Sequence, residues 1–483
     1  MIWRWLTRHA DHSPDRCALR WDAGSLAYAD LALRVEAVAG ALAARGLERG
    51  DRVAFLGHNT PDQLILLFAC ARIGAIQVPL NWRLAAPEWR FILADSGARL
   101  LLAEEDLLES AVAAAPEGCA VARTADLTPD RLPAVPVGTE EDPLLLVYTS
   151  GTTGRPKGAL LDQRAVLFNA LNAQHAFGMT AQDRILTVLP MFHVGGLNIQ
   201  TTPALYTGAE VILHRRFDPD AFFDAIERER PTLSLLVPAV MQVLVSHPRW
   251  LGSNLDSLRA VGAGSSDVPV RLIEAFHAKG VAVQQIYGAT ETCPIALVQT
   301  RPEALAAPGS IGRPALHVEC RLAMPDGSPV IRGAAGEIQV RGPSVMRGYW
   351  GGEAALHDGG WFPTGDVGRV DEAGRWWFKD RLKHVIISGG ENIYPAEVER
   401  ALAGAPGIIE GAVVGRPDPR WGEVPVAVVV PAPGFDPTRV LEHIAAQIAR
   451  FKQPRAVIPV PALPRTALGK VAIAELKALV ARN

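Results

Sequence analysis

The chain has 483 residues, 49% of them apolar, and a formal net charge of −3 at neutral pH. That length exceeds a single hydrophobic core and calls for two or more domains. The balanced charge leaves no basic footprint for nucleic acid, no long run of like charges forms a tail, and no window approaches the roughly eighteen apolar residues of a spanning helix.

The first residues, Met1-Ile2-Trp3-Arg4-Trp5-Leu6-Thr7-Arg8, lack the apolar centre of a signal peptide. Attachment to a membrane surface is left open, as is the choice between monomer and homodimer. Cys17, Cys70, Cys119, Cys293 and Cys320 are scattered, with no Cys-x-x-Cys pair. Neither a disulfide framework nor a zinc site is indicated, and a reduced, cytoplasmic setting is expected.

Leu31, Val35, Val38 and Leu42 stand at helical spacing before Gly46, and Val53–Leu56 reads as a strand. Thr60-Pro61 opens a helix, with Thr60 as its cap, that runs to Gly74, and Ala75–Pro79 reads as a strand. The same rhythm continues: strand Arg184–Leu189, helix Asp218–Glu229, strand Leu233–Val237, helix Arg271–Lys279, strand Val281–Ile286. Such alternation predicts an α/β fold built on parallel sheets. From about residue 309, glycine-rich turns separate short strands, as in Gly336–Gly342, which reads as a small antiparallel subdomain. The last hundred residues mix helices (Pro395–Leu402, Val440–Arg450, Val471–Ala481) with strands (Gly411–Gly415, Val424–Val430), enough for an independent α+β domain.

Four stretches carry chemistry. The apolar run Leu144–Val147 leads into Tyr148-Thr149-Ser150-Gly151-Thr152-Thr153-Gly154-Arg155-Pro156-Lys157-Gly158, where hydroxyls, backbone N–H groups and one lysine suit a polyphosphate. It is not a Walker loop, because Pro156 precedes the lysine and an apolar stretch follows in place of a helix start. Tyr287-Gly288-Ala289-Thr290-Glu291 follows a strand and offers a hydroxyl and a carboxylate, the oxygen ligands magnesium prefers. Trp361-Phe362-Pro363-Thr364-Gly365-Asp366 sets a carboxylate on a turn, able to accept from ribose hydroxyls. Asp380-Arg381-Leu382-Lys383 leads to Ile387-Ser388-Gly389-Gly390-Glu391-Asn392. Singly, these read as a helix cap, a β-turn, solvated charge and a glycine turn. Their joint occurrence in this order gives them weight.

In that combination the chain resembles the adenylate-forming superfamily, which includes acyl-CoA synthetases, coumarate ligases, luciferase and peptide-synthetase adenylation domains. The resemblance extends from Leu26-Ala27-Tyr28 to Lys470. It implies a large N-terminal domain over residues 1–380, with 309–380 as its antiparallel subdomain, a hinge at 381–383 with Lys383, and a mobile domain over 384–483. It further implies two steps: a carboxylate attacks the α-phosphate of ATP to give an acyl-adenylate and pyrophosphate, and a thiol then displaces AMP. Carried over by position, Thr149, Ser150, Gly151, Thr152, Thr153, Gly154 and Lys157 would wrap the β- and γ-phosphates, and Thr149 and Glu291 would bind Mg2+. Ala263 and Gly264 would border the adenine, Tyr287 and Gly288 would flank it, Thr290 would touch the α-phosphate, and Asp366 and Arg381 would hold the ribose. Lys470, in Arg465-Thr466-Ala467-Leu468-Gly469-Lys470, matches the adenylation lysine. Negative charge grows there between carboxylate and phosphate, and a positioned ammonium stabilises it. His193 matches a gate beside the acyl carboxylate.

The resemblance places the acyl pocket along Val194, Gly195, Gly196, Leu197 and Asn198, where two glycines would leave space, with Ala263, Cys293, Pro294 and Ile295 as further wall. Gln285-Ile286 stand where relatives that activate malonate carry an arginine, and no aspartate in 191–200 serves an amino acid's ammonium. Arg341 runs to Tyr349-Trp350 without the insertion of stand-alone fatty-acyl-adenylate ligases. Coenzyme A is the expected acceptor. Gly389 and Gly390 match a pantetheine tunnel, Trp421 and Phe451 match positions flanking the CoA adenine, and Lys452 and Arg455 are candidate phosphate partners. The expected activity is an ATP-dependent acyl-CoA ligase acting on a medium or long fatty acid or an aryl, hydroxycinnamate-like acid. Loading of an acyl carrier protein is the alternative. A non-catalytic nucleotide-binding scaffold would require loss of Lys157, Glu291 or Lys470, and all three are present.

Overall fold

The helix–strand rhythm is realised element by element in the computed structural model, which describes residues 1–127, 137–149, 156–265, 268–324, 327–331, 333–352, 356–357, 359–388, 391–466 and 469–482. Contacts divide the chain into two units, Met1–Cys320 with Val340–Phe362, and Arg321–Gln339 with Pro363–Asn483. Of the expected antiparallel subdomain, residues 321–339 and 363–380 are thus grouped with the C-terminal residues and the rest with the first unit, and the expected hinge at 381–383 falls inside the second unit.

The first unit is built on two sheets. In the nine-stranded sheet, Ala282–Tyr287, Ala260–Gly264, Leu233–Leu236, Arg184–Thr187, Glu210–Leu213 and Cys17–Trp21 lie side by side and parallel. In the seven-stranded sheet, Pro143–Thr149, Ile76–Leu80, Arg52–Leu56, Leu100–Ala103 and Ala120–Arg123 are parallel, and Lys157–Asp162 and Gly348–Tyr349 extend it antiparallel. The central strands are mostly apolar because helices cover parallel sheets on both faces, and the polar side chains they carry, such as Gln77, Ser234 and Gln284, are buried. Helix Pro61–Ile73 ends, as expected, on Gly74 in the left-handed region. Thr60 does not cap it: its hydroxyl is buried without a protein partner, and Pro61 in the first turn starts the helix. Asp218 caps its helix by accepting from the Ala221 N–H at 2.9 Å.

The second unit carries most of a four-stranded sheet of Glu319–Ala323, Gly336–Arg341, Phe362–Val370 and Trp376–Arg381, whose last two strands pair antiparallel, and a sheet around the long antiparallel hairpin Ile408–Asp418 and Gly422–Pro431. Both hairpin strands extend beyond the expected segments because they pair with each other over their length. Val413 faces helices Pro395–Leu402 and Pro437–Ala445, while Ala412 and Val414 face helix Ile473–Arg482, an alternation that explains the unbroken apolar run. The helix expected over 440–450 instead spans Pro437–Ala445, because Asp436 accepts from the Thr438 N–H and Pro437 opens the first turn. Among the described residues no helix is long and apolar enough to cross a membrane. All five cysteines are free.

Candidate active site

In the first unit, the glycine- and threonine-rich stretch joins two strands of one hairpin, with Thr149 opposite Lys157. Lys157 begins a strand, so the non-Walker reading of this motif holds. Ser150, Gly151, Thr152, Thr153 and Gly154 lie outside the described residues. The exposed Lys157 ammonium stands 5.5 Å from the centre of the Tyr349 ring. The Tyr349 hydroxyl donates to Glu291 Oε1 at 2.7 Å. Burial, reinforced by Glu291, pushes that phenol's pKa upward, so it remains a donor. Tyr349 reaches this spot because Gly348–Tyr349 pairs with Leu160 and Ala159, next to Lys157. The Glu291 carbonyl accepts from the Met346 N–H at 2.8 Å, which fixes the two segments together. Thr149 and Lys157 on the hairpin, and Glu291 tied to Tyr349, thus bring together residues far apart in sequence. Tyr349 is a residue that sequence reading missed as a site component. Its only signal was an aromatic in a short stretch with no obvious periodicity.

Ala263 and Gly264 end a buried strand beside Gln285 and Ile286. Tyr287 closes the neighbouring strand and is buried, Gly288 is exposed, and Thr290 and Glu291 start a short 3-10 turn, Thr290–Thr292. Gly288 is required by close packing: a Cβ there would lie 1.6 Å from the Pro294 carbonyl oxygen. The buried Gln285 donates to the Ser310 carbonyl at 2.8 Å, so its amide is committed to packing the strand end.

The segment bearing His193 is held by buried amides. Asn59 donates to the Leu189 carbonyl at 2.9 Å and accepts from the Met191 N–H at 2.9 Å, and Gln63 donates to the Met191 carbonyl at 2.9 Å. His193 is half-buried against Phe192 and precedes the short turn Val194–Gly196. On the helix Gln163–Phe177, Asn169 donates to the Asn198 carbonyl at 2.6 Å and accepts from the Ile295 N–H at 3.1 Å, locking two expected walls of the acyl pocket together. The Asn198 amide in turn meets Cys293 Sγ at 3.5 Å. Cys293 is fully buried, which pushes its thiol pKa well up. The two glycines differ. A Cβ on Gly195 would meet only Ser265 Oγ at 4.0 Å, so this position leaves room. A Cβ on Gly196 would lie 2.3 Å from the Pro190 carbonyl oxygen, so Gly196 allows the backbone to pack and does not itself open space. That corrects half of the expectation that both glycines make room.

In the second unit, Asp366 and Arg381 stand directly opposite each other on paired strands, with Arg381 Nε 3.2 Å from Asp366 Oδ1. Asp366 is buried and Arg381 exposed. The turn is set by the Thr364 hydroxyl, which donates to the Ile338 carbonyl at 2.7 Å and accepts from the Asp366 N–H at 3.1 Å. The neighbouring Asp380 accepts from the N–H groups of Arg381 and Ala396, each at 2.7 Å. Lys470 lies in the field of this pair. The residue as a whole is exposed, yet its ammonium is held below the ordinary lysine range, first by the crowding of protein around it and then by Arg381, with Asp366 opposing. Lys383 is exposed in the 3-10 turn Leu382–His384 and is lowered by burial and by Arg381.

Of the expected CoA residues, Gly389 and Gly390 lie outside the described residues. Trp421 and Phe451 are both exposed, with Arg420 4.9 Å from the Trp421 ring centre and Lys452 5.5 Å from that of Phe451. Lys452 is already paired with Glu397 at 2.7 Å, which weakens its candidacy as a phosphate partner, whereas Arg455 is exposed. Elsewhere His58, Glu104 and Asp106 approach one another, but Arg215 pairs with both carboxylates at 3.1 and 2.8 Å. That cluster is an ion-pair network.

The AMP-binding enzyme family matches residues 6–350, and the AMP-binding enzyme C-terminal domain matches residues 397–470. The chain belongs to the AMP-binding enzyme family. Among its relatives, an indoleacetate–CoA ligase of Aromatoleum aromaticum is 49% identical over 99% of this chain and 98% of that protein. A feruloyl-CoA synthase of an Amycolatopsis species is 44% identical over 98% of each. Among solved structures, the o-succinylbenzoate CoA synthetase of Bacillus subtilis bound to its acyl-adenylate intermediate has a TM-score of 0.89 at 31% identity, covering 98% of this chain and 97% of that chain. The same synthetase has also been solved with ATP and a magnesium ion.

Proposed function

We infer that this AMP-binding enzyme is an AMP-forming acyl-CoA ligase. An acid carboxylate oxygen attacks the α-phosphorus of ATP, the bond to the β-phosphate oxygen breaks, and pyrophosphate leaves. The CoA sulfur then attacks the acyl carbon, the thiol proton is lost, and AMP departs. The observation that carries the reading is the grouping of Asp366, Arg381 and Lys470 in one electrostatic neighbourhood. A carboxylate–arginine pair suits the ribose, and a nearby ammonium suits charge developing at the α-phosphate. Lys157 and Thr149 would contact the outer phosphates, as would Ser150 to Gly154. Thr149 and Glu291 supply the oxygen ligands that magnesium prefers, with the carboxylate oriented by Tyr349. When bound, magnesium neutralises phosphate charge.

His193, Val194, Gly195, Cys293 and Pro294 would border the acyl group, and the free face above Gly195 admits a bulky one. The named substrates of the two curated relatives support an aryl acid over a fatty acid. The exposed Trp421 and Phe451, each beside a cation, would flank the CoA adenine. Lys383 would serve as the hinge, where backbone rotation and not side-chain chemistry matters. Five free thiols suit a cytoplasmic setting. The test is AMP release by the purified protein with ATP, magnesium, CoA and a panel of aryl and alkyl acids. CoA-dependent AMP formation with a matching acyl-CoA product is expected, and no turnover with any acid would overturn the reading.

A further inference from the structure

The hairpin that carries Thr149 and Lys157 has two faces. Thr149 stands opposite Lys157 and Tyr349 opposite Ala159, so the two-residue period puts Thr149, Lys157 and Tyr349 on one face. Tyr148, Gly158 and Trp350, each adjacent in the chain to one of those residues, belong to the other face. On that rear face, Tyr148 and Trp350 pack onto the core cluster that includes Leu146 and, from helix Ala86–Ser96, Trp89 and Ile92. The Trp350 N–H donates to the Gly158 carbonyl at 2.7 Å. A Cβ on Gly158 would lie 2.6 Å from Leu146 Cδ1 and 3.2 Å from Tyr148 Cζ, so the packed side chains leave that position to glycine. Asp95, in the last turn of the helix, holds both aromatic residues. The Tyr148 hydroxyl donates to Asp95 Oδ2 at 2.6 Å, and Trp350 Nε1 donates to the Asp95 backbone carbonyl at 3.1 Å. Arg52 fixes the helix end by donating to the Ser96 and Gly97 carbonyls, each at 2.7 Å, and its guanidinium lies 5.4 Å from the Trp350 ring centre.

We propose that Asp95 is a positioning residue for the outer phosphates of ATP, acting through the Tyr148 hydroxyl on the neighbouring Thr149 and, across the hairpin, on Lys157. The proposal rests on the assignment of Thr149 and Lys157 to those phosphates given above. A carboxylate in the last turn of a helix meets the negative end of the helix dipole, an unfavourable place for it. Here that carboxylate accepts from the residue immediately before Thr149. A hydrogen bond to a charged acceptor is stronger than a neutral one and fixes direction as well as distance. With the rear face anchored to a helix, the front-face groups are held in place before the nucleotide arrives, and less ordering is required on binding. Asp95 itself touches no phosphate in this scheme, because it lies behind the sheet.

The experiment measures Kd by calorimetry for magnesium-ATP and for AMP, without acid or CoA, on the full chain. AMP lacks the outer phosphates, so it reports on the rest of the nucleotide site. Asp95→Ala and Tyr148→Phe should each raise Kd for magnesium-ATP about fivefold or more while changing Kd for AMP by less than about twofold. Tyr148→Phe keeps the ring and carries the test if Asp95→Ala does not fold. Asp95→Asn keeps an acceptor oxygen and should stay within about twofold of the wild type for both nucleotides. The double variant Asp95→Ala/Tyr148→Phe should bind no more weakly than the weaker single variant, because both remove one bond. A ratio of the two Kd values unchanged in the variants would overturn the proposal, whether or not their thermal midpoints fall. So would an equal loss of both nucleotides, or additive losses in the double variant. Lys157→Ala separates the two readings. If it raises Kd for magnesium-ATP and the Asp95 and Tyr148 variants do not, the proposal alone fails; if it too leaves the ratio unchanged, the phosphate assignment fails with it.

Discussion

At the scale of single residues, Lys470 and Tyr349 make an instructive pair. Lys470 is exposed, as a lysine before a helix ordinarily is, and only its place beside Arg381 and Asp366 distinguishes it. Lys470→Ala should lower the rate of acyl-adenylate formation by about 10²- to 10³-fold, the cost of removing one positioned donor from a developing anion. Pyrophosphate release measured without CoA checks this, and near-normal release would remove the lysine from the chemistry. Tyr349 holds Glu291 with a hydrogen bond to a charged acceptor, worth roughly 1.5–3 kcal/mol. Tyr349→Phe should therefore raise KM for magnesium-ATP about tenfold or more. It retains the ring beside Lys157, so steady-state kinetics in ATP isolates the hydroxyl. An unchanged KM would show that the Tyr349–Glu291 bond plays no part in nucleotide binding.

At the scale of elements, the loops that carry chemistry depend on buried amides packed behind them. Asn59 and Gln63 clamp the strand exit at Leu189–Met191, and Asn169 joins the Asn198 and Ile295 segments. Adjacent glycines then have opposite functions. Gly196→Ala would force a methyl against the Pro190 carbonyl and should destabilise the protein by about 1–3 kcal/mol, read as a lower denaturant midpoint. Gly195→Ala should leave that midpoint unchanged and raise KM selectively for the bulkiest acids, because its methyl enters open space. Equal effects in the two variants would contradict the distinction. Much of this element structure was legible: Pro61, Gly74, Asp218 and the apolar runs mark their helices and strands. Thr60 and the helix at Pro437 were misjudged. A cap depends on where the side chain turns once packed, and Asp436-Pro437 is a start signal outside the apolar period.

At the scale of the whole molecule, stability should respond to acid through the second unit. His384 is held neutral by burial and by Lys383, Arg381 and Lys477, which lower its pKa from 6.5 to about 4. As pH falls, the unfolded chain binds a proton on this histidine before the folded one does. Stability is therefore intact above about pH 6.5 and lost progressively down to about pH 4. His384→Gln should flatten that part of the profile, measured as urea midpoints between pH 7 and pH 4.5. Parallel profiles for wild type and variant would show that His384 does not govern it.

The sequence by itself determined the α/β class and the non-Walker character of the phosphate motif. It also pointed to the partnership of Asp366 with Arg381. These depend on local patterning, on a proline before a lysine, and on a motif order that survives reading in one dimension. Tertiary structure alone decided that Tyr349 joins Glu291 and Lys157, that Gly195 opens space while Gly196 closes it, and that Tyr148 meets Asp95. Each of these depends on a distance between segments far apart in the chain or on the direction of a side chain after packing. Neither spacing nor residue type encodes such a distance until the sheets have formed.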